Sequence, residues 1–310
     1  MTFGAEYQEH LRVNFVNFDD AAINVKLDLP YALWSFYLQQ ENQLTKNLAL
    51  TVGIRWDDYS TLGDASAPRA ALVYHPRPTS TLKLLYGEAF RAPSPWESKT
   101  DAPPNKSNPG LLPERIKTRE AVWEERLNAT LFGALSLYNY TMRDLIDPVV
   151  DPLDSLTQYR NISRAKAYGM EIEFEARLAS RFQGFASLTY QNAKNAKAKK
   201  QTLTNSPRHL VKLGAVAPLG NFFDAALEMQ YETARRTVYK TSTKARLLAN
   251  LQLATTPLAQ GKKPLKNFQL ELSVNNLFDN TFQMPGGVEH RQAGITQNRR
   301  HYRIKVQCKL

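Results

Sequence analysis

Serine and lysine three residues apart occur twice, at Ser80 and Lys83 and at Ser163 and Lys166. A lysine so placed can activate a serine nucleophile when a helical turn carries both onto one face. On a strand, residues three apart point to opposite sides, and both pairs are then chance. Six carboxylates, Glu171, Glu173, Glu175, Glu228, Glu232 and Glu271, could act as acid–base pairs. On a wetted wall they are instead structural charges, expected to pair with Arg177, Arg303, Lys305 and Lys309. The histidines (His10, His75, His209, His290 and His301) have no ligand spacing. The one cysteine, Cys308, permits neither an internal disulfide nor a cysteine zinc site. There is no Gly-x-Ser-x-Gly elbow, no phosphate-binding glycine loop and no His-Glu-x-x-His. The residues therefore point to no catalytic group, no metal and no cofactor, and the chain is expected not to be an enzyme.

The elements decide how these residues are used. In Met170-Glu171-Ile172-Glu173-Phe174-Glu175-Ala176-Arg177-Leu178 every even position is apolar and every odd one charged. A strand puts the two sets on opposite faces, whereas a helix smears them. The pattern returns at Phe223, Ala225, Leu227, Met229 and Tyr231, at Phe268, Leu270, Leu272 and Val274, and at Tyr302, Ile304, Val306, Cys308 and Leu310. About fourteen strands are predicted, over 2–15, 29–41, 46–58, 66–76, 79–90, 115–127, 130–143, 165–178, 181–192, 206–217, 222–235, 244–255, 266–281 and 296–310. Short connections carry turn residues, as in His75-Pro76-Arg77-Pro78 and Pro218-Leu219-Gly220-Asn221. Longer polar ones run over 91–114, 144–164, 193–206, 236–243 and 282–295. Strands of this length exceed the five or six residues common in soluble sandwiches. They suit an outer-membrane barrel, which needs about 9–11 residues to cross and alternates short periplasmic turns with long extracellular loops. The even positions of 170–178 and 302–310 are then expected to face lipid and the odd ones the lumen.

The chain is 310 residues long with a formal charge of +11 and a mean hydropathy of −0.45. No run of about 18 apolar residues can cross a bilayer as a helix. The charge suits nucleic acid, anionic lipid or lipopolysaccharide, or anionic small ligands. Residues 1–20 contain no apolar secretion segment.

Specific residues resemble the TonB-dependent outer-membrane receptors. The run Leu84-Leu85-Tyr86-Gly87-Glu88-Ala89-Phe90-Arg91-Ala92-Pro93 is similar to their Phe-Arg-Ala-Pro box, and Ser107-Asn108-Pro109-Gly110-Leu111-Leu112-Pro113-Glu114 to the box that follows. Leu33 to Glu41 and Val52 to Ser60 resemble two earlier strands. Asn161-Ile162-Ser163, Ala167-Tyr168-Gly169-Met170-Glu171 and Val274-Asn275-Asn276-Leu277-Phe278-Asp279 resemble three later ones. Seven matches in family order cover nearly the whole chain. The resemblance implies an all-β, antiparallel transmembrane barrel, here about fourteen of 22 strands, in the cell outer membrane. Residues 1–310 are expected to be its C-terminal part. The family's plug, its TonB-contacting box, its signal peptide and roughly its first eight strands have no counterpart in this sequence, so this chain alone is not expected to perform energised uptake. Leu310 stands where such barrels usually end on an aromatic residue.

The resemblance also implies a function: TonB-energised uptake of a scarce anionic ligand, foremost a ferric siderophore. A cobalamin receptor of the same family, a complete 14-stranded barrel of another type and a soluble basic nucleic-acid-binding β-protein are the alternatives. Weak aromatic interleaving in the basic loops argues against stacking on single-stranded nucleic acid. Residues 94–107 lack the histidine that haem receptors of the family usually carry. The ligand-binding residues expected on extracellular loops are Trp96, Tyr159, Arg160, Arg236, His290 and Arg291. Lys194, Lys197, Lys199 and Lys200 serve equally as vestibule charges or as a solvated face. Arg91 is expected to be structural. Arg235 shares parity with outward Tyr231 and is expected to meet lipopolysaccharide, while Arg236 shares parity with inward Glu232 and is expected to meet the ligand.

Overall fold

The computed structural model describes residues 1–18, 23–61, 63–179, 181–196, 201–255 and 268–308. The chain begins with β1 (Thr2–His10) and a small hairpin, β2 (Asn14–Phe18) and β3 (Ile23–Asp28). Long strands follow: β4 (Tyr31–Thr45), β5 (Leu48–Tyr59), β6 (Gly63–Arg77) and β7 (Ser80–Arg91). A short helix, α1 (Pro95–Lys99), and β8 (Asn105–Lys106) precede β9 (Glu114–Arg126), β10 (Leu131–Val150), β11 (Thr157–Ala179) and β12 (Phe182–Asn195). Then come β13 (His209–Leu219), β14 (Phe223–Glu232), β15 (Arg246–Thr255), β16 (Phe268–Asn275), the pair β17 (Gln283–Pro285) and β18 (Gly294–Thr296), and β19 (His301–Cys308).

Fourteen strands form one antiparallel meander, β1-β4-β5-β6-β7-β9-β10-β11-β12-β13-β14-β15-β16-β19, with β8 added beside β11. This matches the fourteen predicted segments in number and order. β1 and β19 form its two edges. Both faces are uncovered. The accessible surface is 20039 Å², against about 13,000 Å² for a compact soluble protein of this mass. No helix among the described residues could cross a membrane.

One face is apolar although exposed. It carries Phe36, Ile54, Leu84, Leu137, Phe174 and Leu213. Aromatic contacts run along it toward the looped end: Tyr7 on Trp34 at 4.5 Å, Trp34 on Phe36 at 6.2 Å and Phe36 near Trp56 at 5.8 Å. An apolar band edged by aromatic rings is the lipid face of an outer-membrane barrel. The expected parity holds. Phe174, Leu178, Tyr302, Ile304 and Val306 are exposed on this face, while Glu171, Glu173 and Glu175 lie opposite Ser136, Ala134 and Phe132 on the other. Leu310 and Lys309 lie outside the described residues.

The lumen face is polar, and four glycines let large rings cross neighbouring strands: Gly4 beneath Tyr37, Gly169 beneath Tyr138 and Gly214 beneath Phe185 here, and Gly133 beneath Phe174 on the lipid face. A Cβ on Gly169 would stand 2.4 Å from both the Tyr138 hydroxyl and the Tyr190 carbonyl, so no larger residue fits. The carboxylates pair in part as expected. Glu271 takes Arg303 at 3.0 Å and Lys305 at 3.9 Å, and Glu175 takes Arg177 at 3.8 Å. Glu232 instead takes Arg235 and Arg246. Both serine–lysine pairs lie on strands.

The structure corrects several boundaries. β1 stops at His10, because Asn14–Phe18 and Ile23–Asp28 pair with each other as the β2–β3 hairpin. The long loop expected over 144–164 is mostly strand: β10 and β11 remain paired out to Val150 and Thr157. At about 3.3 Å per residue, the 23 residues of β11 run some 70 Å, far beyond a bilayer. β14 ends at Glu232 and β16 at Asn275, where Asn276 and Asp279 take left-handed turns.

Candidate functional site

The long connections gather at one end of the sheet. There the two boxes prove to be joints. Ser94 caps α1, accepting from the Glu97 amide while the Glu97 carboxylate accepts from the Ser94 amide. Arg91 then grips Glu97 through both terminal nitrogens at 2.8 and 2.9 Å, and its Nε donates to Glu114 at 2.8 Å. Burial pushes the Glu97 carboxyl up, but the bonds from Arg91 and Ser94 outweigh it and hold the group below its usual range. The other Glu114 oxygen accepts from the Ile146 amide. One arginine thus locks the end of β7 to α1 and β9, as its expected structural role requires. Asn161 completes the joint, exchanging bonds with the Leu112 backbone and donating to the Asp144 carbonyl across the β10 bulge. The capping pattern Ser94-Pro95-Trp96-Glu97 was legible in the sequence but was missed.

Trp96, Tyr159 and Arg160 come together on this joint. Trp96 donates to the Tyr159 hydroxyl at 3.2 Å and meets Phe15 of the unforeseen hairpin at 5.3 Å. Tyr159 and Arg160 sit on the outer reach of β11, not on a loop as expected, because the hairpin continues above the membrane. Arg160 donates to Asp151 at 2.8 Å, and Lys106 bridges Asp151 and Asp154 at 2.7 Å each. These bonds, with the Leu153 amide, lower the Asp151 carboxyl to about 2. A carboxyl depressed in the folded state stabilises above its ordinary value of 3.8, and that contribution fades as pH falls toward 2. The loop at 151–156 is therefore expected to become protease-sensitive on acidification between about pH 4 and pH 2, and Asp151→Asn to show that sensitivity at neutral pH. Equal cleavage at both pH values would contradict this latch.

The remaining predicted residues form a second group on the later loops. Arg236 pairs by backbone with Ser242, and its guanidinium donates to the neutral Gln201 amide at 3.0 Å. His290 lies 3.0 Å from the Glu289 carboxylate, and its carbonyl accepts from the Tyr239 hydroxyl, which ties the two loops together. Arg291 is exposed. Among the described residues, no hydrogen bond or ion pair joins this group to the first. Arg235 departs from its expected place. Its guanidinium bonds Glu232 at 2.6 Å and Asn205 at 2.8 Å, and Arg246 reaches the same Glu232 at 2.8 Å while covering the Phe282 ring. The strand ends at Glu232, so period-two parity no longer holds at 235, and the chain turns Arg235 back to the buried carboxylate rather than outward to lipopolysaccharide. Lys197, Lys199 and Lys200 lie outside the described residues. No group of three potential metal ligands occurs among the described residues.

This combination, a lipid-faced antiparallel wall with polar lumen and long loops locked at one end, defines an outer-membrane barrel. Residues 2–277 match the model of the TonB dependent receptor-like β-barrel family, and the chain belongs to it. The iron-regulated outer membrane virulence protein of Vibrio cholerae is 25% identical over 196 residues, covering 57% of this chain and 30% of that protein. The ferric enterobactin receptor of Pseudomonas aeruginosa is 22% identical over 204 residues, covering 57% of this chain and 27% of its own length. A crystal structure of that receptor superposes with a TM-score of 0.76 at 18% identity, over 92% of this chain and 46% of the receptor. The siderophore receptor of Acinetobacter baumannii gives 0.74 at 13% identity, over 91% and 46%. This chain thus spans less than half the length of the relatives it matches.

Proposed function

We propose that residues 1–310 form the C-terminal part of a receptor barrel that captures a scarce anionic ligand, a ferric siderophore, for uptake energised through TonB. The observation that carries this reading is Arg236. It stands in the mouth loops with a neutral hydrogen-bond partner, so its charge is left to a ligand. Neighbouring Arg235 is neutralised by Glu232. Names among the related proteins, an iron-regulated outer membrane protein and a ferric enterobactin receptor, support a ferric ligand. Trp96 and Tyr159 offer ring surface at the same end, and Arg160, His290 and Arg291 add polar contacts around it.

In the receptor carrying this chain, Arg236→Ala is expected to weaken siderophore binding by about 1–3 kcal/mol, the range for a hydrogen bond to a charged group. Arg235→Ala is expected to lower stability while leaving the affinity of the folded fraction near wild type. Fluorescence titration with a ferric siderophore reads both. Loss of affinity in Arg235→Ala alone would assign the roles the other way round, and cobalamin competing for the site would replace the siderophore.

A further inference from the structure

The β2–β3 hairpin makes one aromatic contact with the mouth among the described residues, and it falls on Trp96. The hairpin is a two-stranded sheet of its own, separate from the wall. Its root is closed by its own bonds, from the Leu29 amide to the Val13 carbonyl at 3.1 Å and from the Val13 amide to Asp28 at 3.0 Å. Among the described residues, no hydrogen bond or ion pair joins residues 11–29 to the rest of the chain. Leu11, Val16 and Phe18 are exposed, so no apolar core lies beneath that side. A hollow of about 280 Å³, lined by Leu29, Pro30, Pro95 and Lys99 among others, keeps the root from closing on α1. An isolated two-stranded hairpin is marginal in water. What reaches across is Phe15, whose ring lies 5.3 Å from that of Trp96 and is tilted by 51°.

The other side of this contact is firmly held. Trp96 belongs to α1, which is capped by Ser94 and clasped by Arg91. Its indole N–H donates to the Tyr159 hydroxyl at 3.2 Å, and the Tyr159 carbonyl accepts from the Asn108 side chain at 2.8 Å. The Tyr159 hydroxyl keeps its own proton to donate, and no acceptor for it occurs among the described residues. Two half-buried rings fixed by hydrogen bonds thus carry a third ring held by contact alone. We propose that Trp96 and Tyr159 form a subsite for an aryl group bearing an oxygen acceptor, and that Phe15 fills this subsite until the ligand arrives. The hairpin is then an inhibitor of the receptor's own mouth. The inference rests on the reading of this mouth as the place of ligand capture, and it adds a ligand class: an anion that carries a flat aryl ring. The aryl ring replaces Phe15 against Trp96, and its oxygen accepts the Tyr159 proton. A tethered ring competes at a roughly millimolar effective concentration, so a ligand that binds well below that level displaces it and frees the hairpin.

The test places a fluorine on the Phe15 ring, as para-fluorophenylalanine at that position, in the receptor carrying this chain, and reads its magnetic resonance. Trp96→Leu should move the resonance of the free receptor, because it removes the neighbouring ring current. Ferric dihydroxybenzoate, an anion with aryl rings, should move the wild-type signal toward the Trp96→Leu position. Ferric citrate, an anion without them, should not. Phe15→Ala should tighten binding of ferric dihydroxybenzoate about two- to tenfold, the worth of the aromatic pair no longer displaced, and leave ferric citrate unchanged. Phe18→Ala, on the same hairpin, should change neither. Iron-free dihydroxybenzoate separates this inference from the proposed function. If it releases the ring while neither iron complex binds, the aryl subsite stands and the ferric reading falls. A resonance that Trp96→Leu leaves in place, or that neither form of dihydroxybenzoate moves, would overturn the proposal. So would equal release by ferric citrate, or an unchanged affinity in Phe15→Ala.

Discussion

Arginine in place of Ile172 is expected to cost about 2–4 kcal/mol of folding free energy in lipid vesicles, while arginine in place of Glu173 costs much less. Ile172 lies between Leu135 and Leu188 on the lipid face. A guanidinium there must be buried in hydrocarbon or drag water and headgroups toward itself. Glu173 lies between Ala134 and Ser187 on the wet side, where a cation remains solvated. A denaturant titration of both variants reads the difference, and equal costs would contradict the face assignment.

Arg91→Ala is expected to cost about 2–3 kcal/mol. Breaking a buried ion pair typically costs about 3–5 kcal/mol, and this one is discounted because the Arg91 side chain is 47% exposed. Its removal leaves Glu97 and Glu114, only 14% and 16% exposed, as facing carboxylates without their shared cation. Arg91→Lys should recover part of the loss, since an ammonium restores the charge but not the two-pronged grip on Glu97. A shift in the unfolding midpoint smaller than about 0.5 kcal/mol, the scale of ordinary surface changes, would contradict the joint.

The fold was legible because one physical signal, period-two alternation, repeats along the wall and is set by the two solvents it separates. Met170 to Leu178 could be assigned to faces residue by residue, and the strand order followed from short turns. The same signal fails where both faces meet water. β10 and β11 continue beyond Met142 and Lys166 without period-two alternation, as in Arg143-Asp144-Leu145-Ile146-Asp147-Pro148-Val149-Val150, so their extension read as a loop. The β2–β3 hairpin, by contrast, did leave the signal, since Ile23, Val25 and Leu27 alternate with Asn24, Lys26 and Asp28, but the segment is only six residues long and was passed over. Arg235 shows a related limit: alternation is a property of strand, and at Glu232 the strand is over. Of the mouth, the boxes around Arg91 and Glu114 were visible as motifs, yet their work as joints emerged only from contacts between residues far apart in sequence, such as Asn161 with Leu112.

The most direct test of the account is a nitroxide scan of positions 170–178 in the receptor reconstituted in lipid, reading collisions with oxygen against collisions with a water-soluble nickel complex. Spin labels at Met170, Ile172, Phe174, Ala176 and Leu178 should favour oxygen, and those at Glu171, Glu173, Glu175 and Arg177 should favour nickel, giving a clean period of two. Uniform nickel access at all nine positions, or a period near 3.6, would show that this segment is not the wall of a membrane barrel.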